Sequence, residues 1–72
     1  MFAIARATGL SAAGFTVMTI ENSQPGVETG TTYCLEPDQR VKQGVPVVIE
    51  FVSGDQFCRM VELNDLRITR KD

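Results

Sequence analysis

The stretch from Gln43 to Leu63, QGVPVVIEFVSGDQFCRMVEL, decides the fold of this chain. Two runs of apolar and β-branched residues lie on either side of Ser53-Gly54-Asp55, and Gly54 can adopt the positive φ that tight turns require. This arrangement predicts an antiparallel β-hairpin closed by that turn. Pro46 lacks a backbone N–H, so we expect it at the beginning of the first strand.

Alternation along the second strand of the hairpin divides its side chains between two faces. The more apolar face carries Phe57, Arg59, Val61 and Leu63, and the other carries Gln56, Cys58, Met60 and Glu62. The first strand, VVIEFV, is nearly continuous in apolar residues and is typical of a strand covered on both faces. The pattern therefore predicts core contacts from Val47, Ile49, Phe51, Phe57 and Val61.

Turn residues divide the rest of the chain into further short strands. Phe2 to Arg6 is a short apolar run, and FTVMTI (15–20) and TTYCLE (31–36) carry the β-branched and aromatic side chains that strands favour. The segment ENSQPGVETG (21–30) between them is rich in loop residues. LRIT (66–69) is predicted to be a short last strand.

These patterns predict a mainly β fold. We expect one small domain over residues 1–72, built as an antiparallel sheet or a partly open barrel of about five to six short strands. Within it, residues 1–13 are predicted to be irregular or a short strand. Residues 14–63 are predicted to form the β core, and residues 64–72 to hold a short strand and a basic tail.

The composition fits one small globular domain. Of its 72 residues, 43% are hydrophobic and 22% are charged, and a domain of this size buries only about 60% of the surface of its unfolded chain. A protein partner or a second copy would therefore add stability.

The net charge of −2 argues against nucleic-acid binding. Arg67, Arg70 and Lys71 near the end are candidate partner-binding residues, with a solvated terminus as the alternative.

Two cysteines, Cys34 and Cys58, are present, and histidine is absent. Without histidine there is no Cys/His zinc site and no histidine general base, so we predict no metal and no cofactor. Both cysteines are predicted to be buried, reduced thiols of a cytoplasmic protein, with a disulfide between facing strands as the alternative. The N-terminus lacks the positive charge of a signal peptide, and no apolar run is long enough to span a membrane.

The pattern from Phe15 to Leu63 resembles the C-terminal domain of LexA, UmuD and phage repressors, the self-cleaving Ser–Lys peptidase fold. Ile20-Glu21-Asn22-Ser23 is similar to the approach to the nucleophile of that family, and VKQGVPVVIEF is similar to its Gly-Val-Val segment. FCRMV (57–61) occupies the place of the strand that carries the catalytic lysine. The resemblance implies that Ser23 and Arg59 are the relic of a catalytic dyad.

Arg59 stands where the family has lysine. A lysine general base must lose its proton, whereas arginine stays protonated and has no lone pair to accept one. Ser23 and Arg59 therefore cannot act as a Ser–Lys dyad, and we expect no enzymatic activity. The residues alone favour Ser23 as a turn serine that bonds its own backbone, and Arg59 as a strand residue paired with a nearby carboxylate.

Two classes of function remain. The resemblance implies a non-catalytic interaction and oligomerisation module, regulatory or derived from a phage or mobile element, which forms a homodimer or binds another protein. Strand edges or an exposed apolar face would supply the contact. The alternative is a small SH3- or Sm-like β-barrel that binds nucleic acid, because VVIEFVSGDQFCRMVELNDLRI also resembles the bent strands of Sm proteins.

Overall fold

Six antiparallel strands close into a barrel in the computed structural model, which describes residues 1–52 and 54–71. The strands are β1 (Phe2–Leu10), β2 (Thr16–Ile20), β3 (Thr32–Leu35), β4 (Pro46–Phe51), β5 (Phe57–Met60) and β6 (Leu63–Arg70). Around the barrel they follow the order β1-β2-β3-β6-β5-β4, with β4 next to β1. The predicted mainly β fold is confirmed, and the barrel is closed rather than partly open.

The barrel consists of two three-stranded meanders, β1-β2-β3 and β4-β5-β6. Two seams join them. β1 pairs with β4 over five consecutive residues of each strand, whereas the register pairs between β3 and β6 in the described residues are Tyr33–Arg70 and Cys34–Thr69. The β1–β4 seam is therefore the longer of the two joints that close the wall.

The β4–β5 hairpin predicted from the sequence is present. Phe51 lies opposite Cys58 in an antiparallel ladder, and Gly54 in the connection has a φ of 62°, a conformation that glycine adopts without strain. Ser53 lies outside the described residues. Pro46 is the first residue of β4, as its missing N–H requires.

β1 is longer than the sequence pattern indicated. It extends to Leu10, and its residues 2–6 pair with β4 while its residues 5–10 pair with β2, so most of the segment predicted to be irregular or a short strand belongs to one nine-residue strand. Arg6 and Thr8 interrupt the apolar run, but they occupy the outward positions of an alternating strand whose inward positions are small and buried. A bulge between Ala7 and Gly9 absorbs a shift in register against β2.

β6 also exceeds the short strand predicted for the last residues. It spans Leu63–Arg70 and pairs with β5 on one side and β3 on the other. Asn64 and Asp65 have low strand propensity, so the sequence pattern did not indicate the first half of this strand. Pairing between strands outweighs that local preference here, so Arg67 and Arg70 belong to the barrel wall and not to a tail.

The interior is filled by alternate residues of all six strands and by one loop residue. The core comprises Ala3, Ala5, Ala7, Met18, Ile20, Val27, Tyr33, Leu35, Ile49, Phe51, Cys58, Met60 and Ile68. The alanines of β1 leave room for the large rings of Tyr33 and Phe51, whose centroids are 6.1 Å apart. Val27, in the connection between β2 and β3, is 1% exposed.

The predicted faces of β5 are reversed in the structure. Cys58 and Met60 point into the core, whereas Phe57 is half-buried and Val61 is 39% exposed. Opposite residues of an antiparallel ladder share a face, and the hairpin places Cys58 opposite the buried Phe51. Arg59 thus lies on the outer side, and Phe57 and Val61 are not core residues.

The prediction that β4 is covered on both faces is also wrong. Ile49 and Phe51 are buried, and Val47 packs against the core, so these three predicted core contacts are confirmed. Val48 and Glu50 alternate with them and point outward, since a closed barrel has a single interior.

We expect Phe51→Ala to lower the free energy of unfolding by about 3–5 kcal/mol, because it leaves a cavity beside Tyr33 in a small core. Phe57→Ala is the matched control and should cost less, since Phe57 is only half-buried. Urea denaturation followed by circular dichroism measures both values. Equal losses for the two variants would contradict the inward and outward assignment of these rings.

Candidate interaction surface

Ser23 lies in the connection between β2 and β3 and is a turn residue. Its hydroxyl oxygen is 2.8 Å from that of Thr29 and accepts a hydrogen bond from the Thr29 backbone N–H at 3.2 Å. Beside it, the backbone N–H groups of Gln24 and Val27 each donate to the other residue's carbonyl, at 2.9 and 2.8 Å. These bonds order the loop that carries Val27 into the core.

Arg59 projects from the outer wall, where it forms an ion pair with Glu50, the residue directly opposite on β4. β5 is three strands away from β2 in the closed order. The hydrogen bonds of Ser23 and Arg59 go to separate partners, Thr29 and Glu50. The structure does not bring the two residues of the relic dyad together.

The three candidate cations at the end of the chain have different surroundings. The Arg67 guanidinium lies over the Phe57 ring, 3.9 Å from its centroid. Arg70 forms an ion pair with Asp55, and Lys71 is exposed just beyond β6. Arg70 is therefore already paired with Asp55 within the chain, whereas Arg67 and Lys71 face solvent.

A polar network fixes the turn of the β4–β5 hairpin to β3 and β6. The Tyr33 hydroxyl donates a hydrogen bond to the backbone carbonyl of Asp55 at 2.6 Å. The Arg70 backbone N–H donates to the carbonyl of Gln56 at 2.9 Å. Burial raises the pKa of the Tyr33 phenol, which keeps it protonated as a donor. The network is structural, since each of these groups already has a partner inside the chain.

A second charged cluster lies in the connection between β3 and β4. Arg40 donates hydrogen bonds to Asp38 at 2.8 and 3.0 Å and reaches Asp65 at 3.4 Å. The hydrogen bond from the Arg40 side chain lowers the pKa of Asp38 to about 2. These residues are exposed or half-buried and fold the connection back toward the start of β6.

The outer side of β1, β4 and β5 carries a continuous apolar row. Ile4 lies opposite Val48, and the Val61 backbone N–H donates to the Val48 carbonyl at 3.0 Å, which extends the row past the end of β5. Phe2 lies two residues before Ile4 on the same outward side and is 54% exposed. We call the surface formed by Phe2, Ile4, Val48 and Val61, with the Glu50–Arg59 pair, the β1–β4–β5 face.

Charges of both signs border this apolar row. Glu50 lies opposite Phe2 on one side and Arg59 on the other. At the β2 side, Arg6 donates hydrogen bonds to Glu21 at 2.6 and 3.3 Å. Each of these two carboxylates is thus matched by a guanidinium group. An apolar centre with paired charges around it is the usual composition of a protein-binding patch.

The sequence pattern does not indicate the β1–β4–β5 face, because it predicts Val61 in the core and marks Phe2 to Arg6 only as an apolar run. The available signal was the alternation in β1, where Ala3 and Ala5 separate the larger Phe2 and Ile4. A narrow barrel favours small residues at the inward positions of a strand, so the larger residues that alternate with them are expected on the outside.

Comparisons with known proteins give no family for this chain. No family model matches it, and no curated protein or solved structure matches it significantly. The resemblance to repressor C-terminal domains therefore stays a prediction. The support for a function has to come from the barrel surface itself.

Within the described residues, no group of three or more Cys, Asp or Glu side chains converges in a way that would hold a metal ion. In the same part of the chain, no helix is long and apolar enough to cross a membrane. The surface features that stand out are the β1–β4–β5 face and the β1–β2 hairpin tip, where Leu10 is 71% exposed.

Cys34 and Cys58 are free, and they lie on opposite sides of the barrel wall. Cys34 alternates with the buried Tyr33 and Leu35 and is half-buried on the outer side, which corrects the prediction that both thiols are buried. Cys58 is fully buried, and burial raises its pKa to about 12. The alternation that separates the two sulfurs also opposes a disulfide between them.

We expect an alkylating reagent at pH 8 to modify Cys34 in the native protein and to spare Cys58, because the thiolate is the reactive form. In denaturant both should react. Peptide mapping by mass spectrometry locates the label, and Cys34→Ser should leave the native protein nearly unlabelled. Equal labelling of both thiols in the native state would contradict the inward position of Cys58.

Proposed function

We propose that this chain is a non-catalytic protein-interaction module that self-associates, most simply as a homodimer. The observation that carries the proposal is the β1–β4–β5 face. Large apolar side chains at Phe2 and Val61 stay exposed there, beside charges of both signs. Exposed apolar surface rimmed by polar groups is characteristic of interaction sites on soluble proteins.

Barrel closure determines how such a module can bind. Every strand of the described barrel has a neighbour on each side, so pairing through a free strand edge, one of the two modes expected from the sequence, has little support. Packing of one outer wall against a partner is the remaining mode. That mode uses side chains rather than backbone hydrogen bonds, and its specificity comes from shape and charge.

Size supports the need for a partner. The folded chain exposes 4289 Å², close to the value of about 4,400 Å² that general scaling gives for a 7.9 kDa monomer. The folded chain is thus as compact as a monomer of this mass is expected to be. Apolar side chains left outside, such as those of the β1–β4–β5 face, can gain stability only by contact with another molecule.

The resemblance to repressor C-terminal domains supports the same function, because those domains dimerise. On this basis the module is regulatory, or derived from a phage or mobile element, and acts in the cytoplasm, where free thiols such as Cys34 persist. Arg59 pairs with Glu50, whereas Ser23 bonds Thr29, and arginine keeps its proton, so Arg59 does not take the role of a lysine base for Ser23.

One observation favours nucleic-acid binding as a second candidate. Arg59 and Arg67 lie directly opposite each other on β5 and β6, and Arg67 covers the Phe57 ring. Cations next to an aromatic ring are a feature of single-strand binding surfaces. The net charge of −2 opposes it, and so does the pairing of Arg59 with Glu50. Retention on heparin at low salt separates this candidate from the first.

The absence of catalysis is directly testable. We expect no self-cleavage during prolonged incubation at alkaline pH, because Arg59 cannot become a neutral base there. Mass spectrometry of the intact chain measures this, with Ser23→Ala incubated in parallel as the control. A fragment that forms in the wild-type protein and not in the variant would contradict the non-catalytic assignment.

We expect the protein at tens of micromolar to have twice the 7.9 kDa mass of one chain, since the apolar wall gains contacts only in an assembly. Multi-angle light scattering coupled to gel filtration gives the mass without assumptions about shape. A dilution series should show the mass falling toward that of the monomer. A monomer at every concentration would contradict self-association.

A further inference from the structure

We propose that the β1–β4–β5 face binds the same face of a second copy, around a two-fold axis that places Glu50 of each protomer against Arg59 of the other. This inference rests on the proposed self-association and names the surface and the contact that produce it. It is drawn from the arrangement of six side chains on the outer wall of three neighbouring strands.

The charge pattern of the face is complementary to itself. Glu50 and Arg59 lie side by side across the β4–β5 ladder. Rotation by 180° about an axis that lies in the interface plane, parallel to the strands and between these two residues, generates a second copy in which each guanidinium lies over the opposite carboxylate. The four groups then alternate in sign, and each carboxylate gains a second guanidinium donor. A partner of uniform charge would be attracted by one of the two groups and repelled by the other.

The Glu50–Arg59 pair is already partly withdrawn from water. The side chain of Arg59 is 34% exposed and that of Glu50 is 28% exposed. Burial of the pair under a second copy therefore removes less hydration than burial of two free ions. The ion pair can lie at the centre of the interface without leaving either charge unmatched.

Apolar residues on both sides of the ion pair supply the contact area. Phe2 flanks Glu50 on β1, and the row of Ile4, Val48 and Val61 runs parallel to the charged row, two residues away along each strand. A standard interface buries about 800 Å² on each partner, which is about a fifth of the 4289 Å² surface of this chain. The outer side of three of the six strands is large enough to supply it.

The tip of the β1–β2 hairpin is a weaker candidate for the same role. Leu10 is 71% exposed and Phe15 is 40% exposed, but this end of the hairpin is narrow. Phe15 lines a cavity with Glu36, Arg67, Arg70 and Lys71, where three cations face one carboxylate. This mainly cationic rim is not complementary to itself, so the tip provides a matched control.

Charge reversal tests the inference. Glu50→Lys gives a face with two cations, and Arg59→Glu gives a face with two anions. Each variant alone should be a monomer, or should dimerise at least about tenfold more weakly than the wild type. An equimolar mixture should recover the dimer mass, because the cationic face then meets the anionic one. Light scattering on each sample and on the mixture gives the answer.

Two controls distinguish loss of the interface from a general loss of stability. Arg40→Glu reverses a charge in the β3–β4 connection and should leave the dimer unchanged. Phe2→Ser should weaken dimerisation by about tenfold or more, whereas Leu10→Ser, at the more exposed position, should leave it unchanged. Circular dichroism verifies that every variant is folded. If either charge-reversal variant fails to fold, the comparison of Phe2→Ser with Leu10→Ser decides.

The outcomes distinguish this inference from the function on which it rests. A monomeric wild-type protein contradicts both. A wild-type dimer that persists in Glu50→Lys, Arg59→Glu and Phe2→Ser contradicts the proposed face but retains self-association. Loss of the dimer in Leu10→Ser alone would move the interface to the hairpin tip. Recovery of the dimer only in the mixture of the two charge variants supports the two-fold exchange of ion pairs.

Discussion

The seam between β1 and β4 is the constraint on which the rest of the barrel depends. It joins the two meanders over five residues of each strand, whereas the other seam, between β3 and β6, has two register pairs. Ala3, Ala5 and Ala7 face inward along β1. These small side chains occupy little of the narrow interior. The remaining volume is filled by large residues of the other strands, such as Tyr33 and Phe51.

The same seam produces the surface that we propose as the interface. Since strand side chains alternate, each small inward residue of β1 has a larger outward neighbour, and Phe2 and Ile4 are placed against Glu50 and Val48 of β4. The inward side chains of β1 thus belong to the core, and its outward side chains belong to the β1–β4–β5 face. Closure removes free strand edges, so a partner must bind the side chains of the wall rather than extend the sheet.

The β4–β5 hairpin shows how much depends on register. Its two apolar strands and its glycine turn were readable from the sequence, but the faces of β5 were not. A shift of one residue exchanges every inward and outward side chain, and the pairing of Phe51 with Cys58 fixes which alternative holds. That pairing turns Arg59 outward to Glu50 and leaves Val61 on the surface.

The sequence by itself determined the all-β class, the hairpin, the start of β4 at Pro46 and the loop between β2 and β3, because turn residues and β-branched runs act locally. Only the tertiary structure decided the length of β1 and β6, the faces of β5 and the separation of Ser23 from Arg59. Each of these depends on which distant strands pair: β1 with β4, and β6 with β3. Such pairings join residues far apart in the chain, and local propensity contains no information about their register.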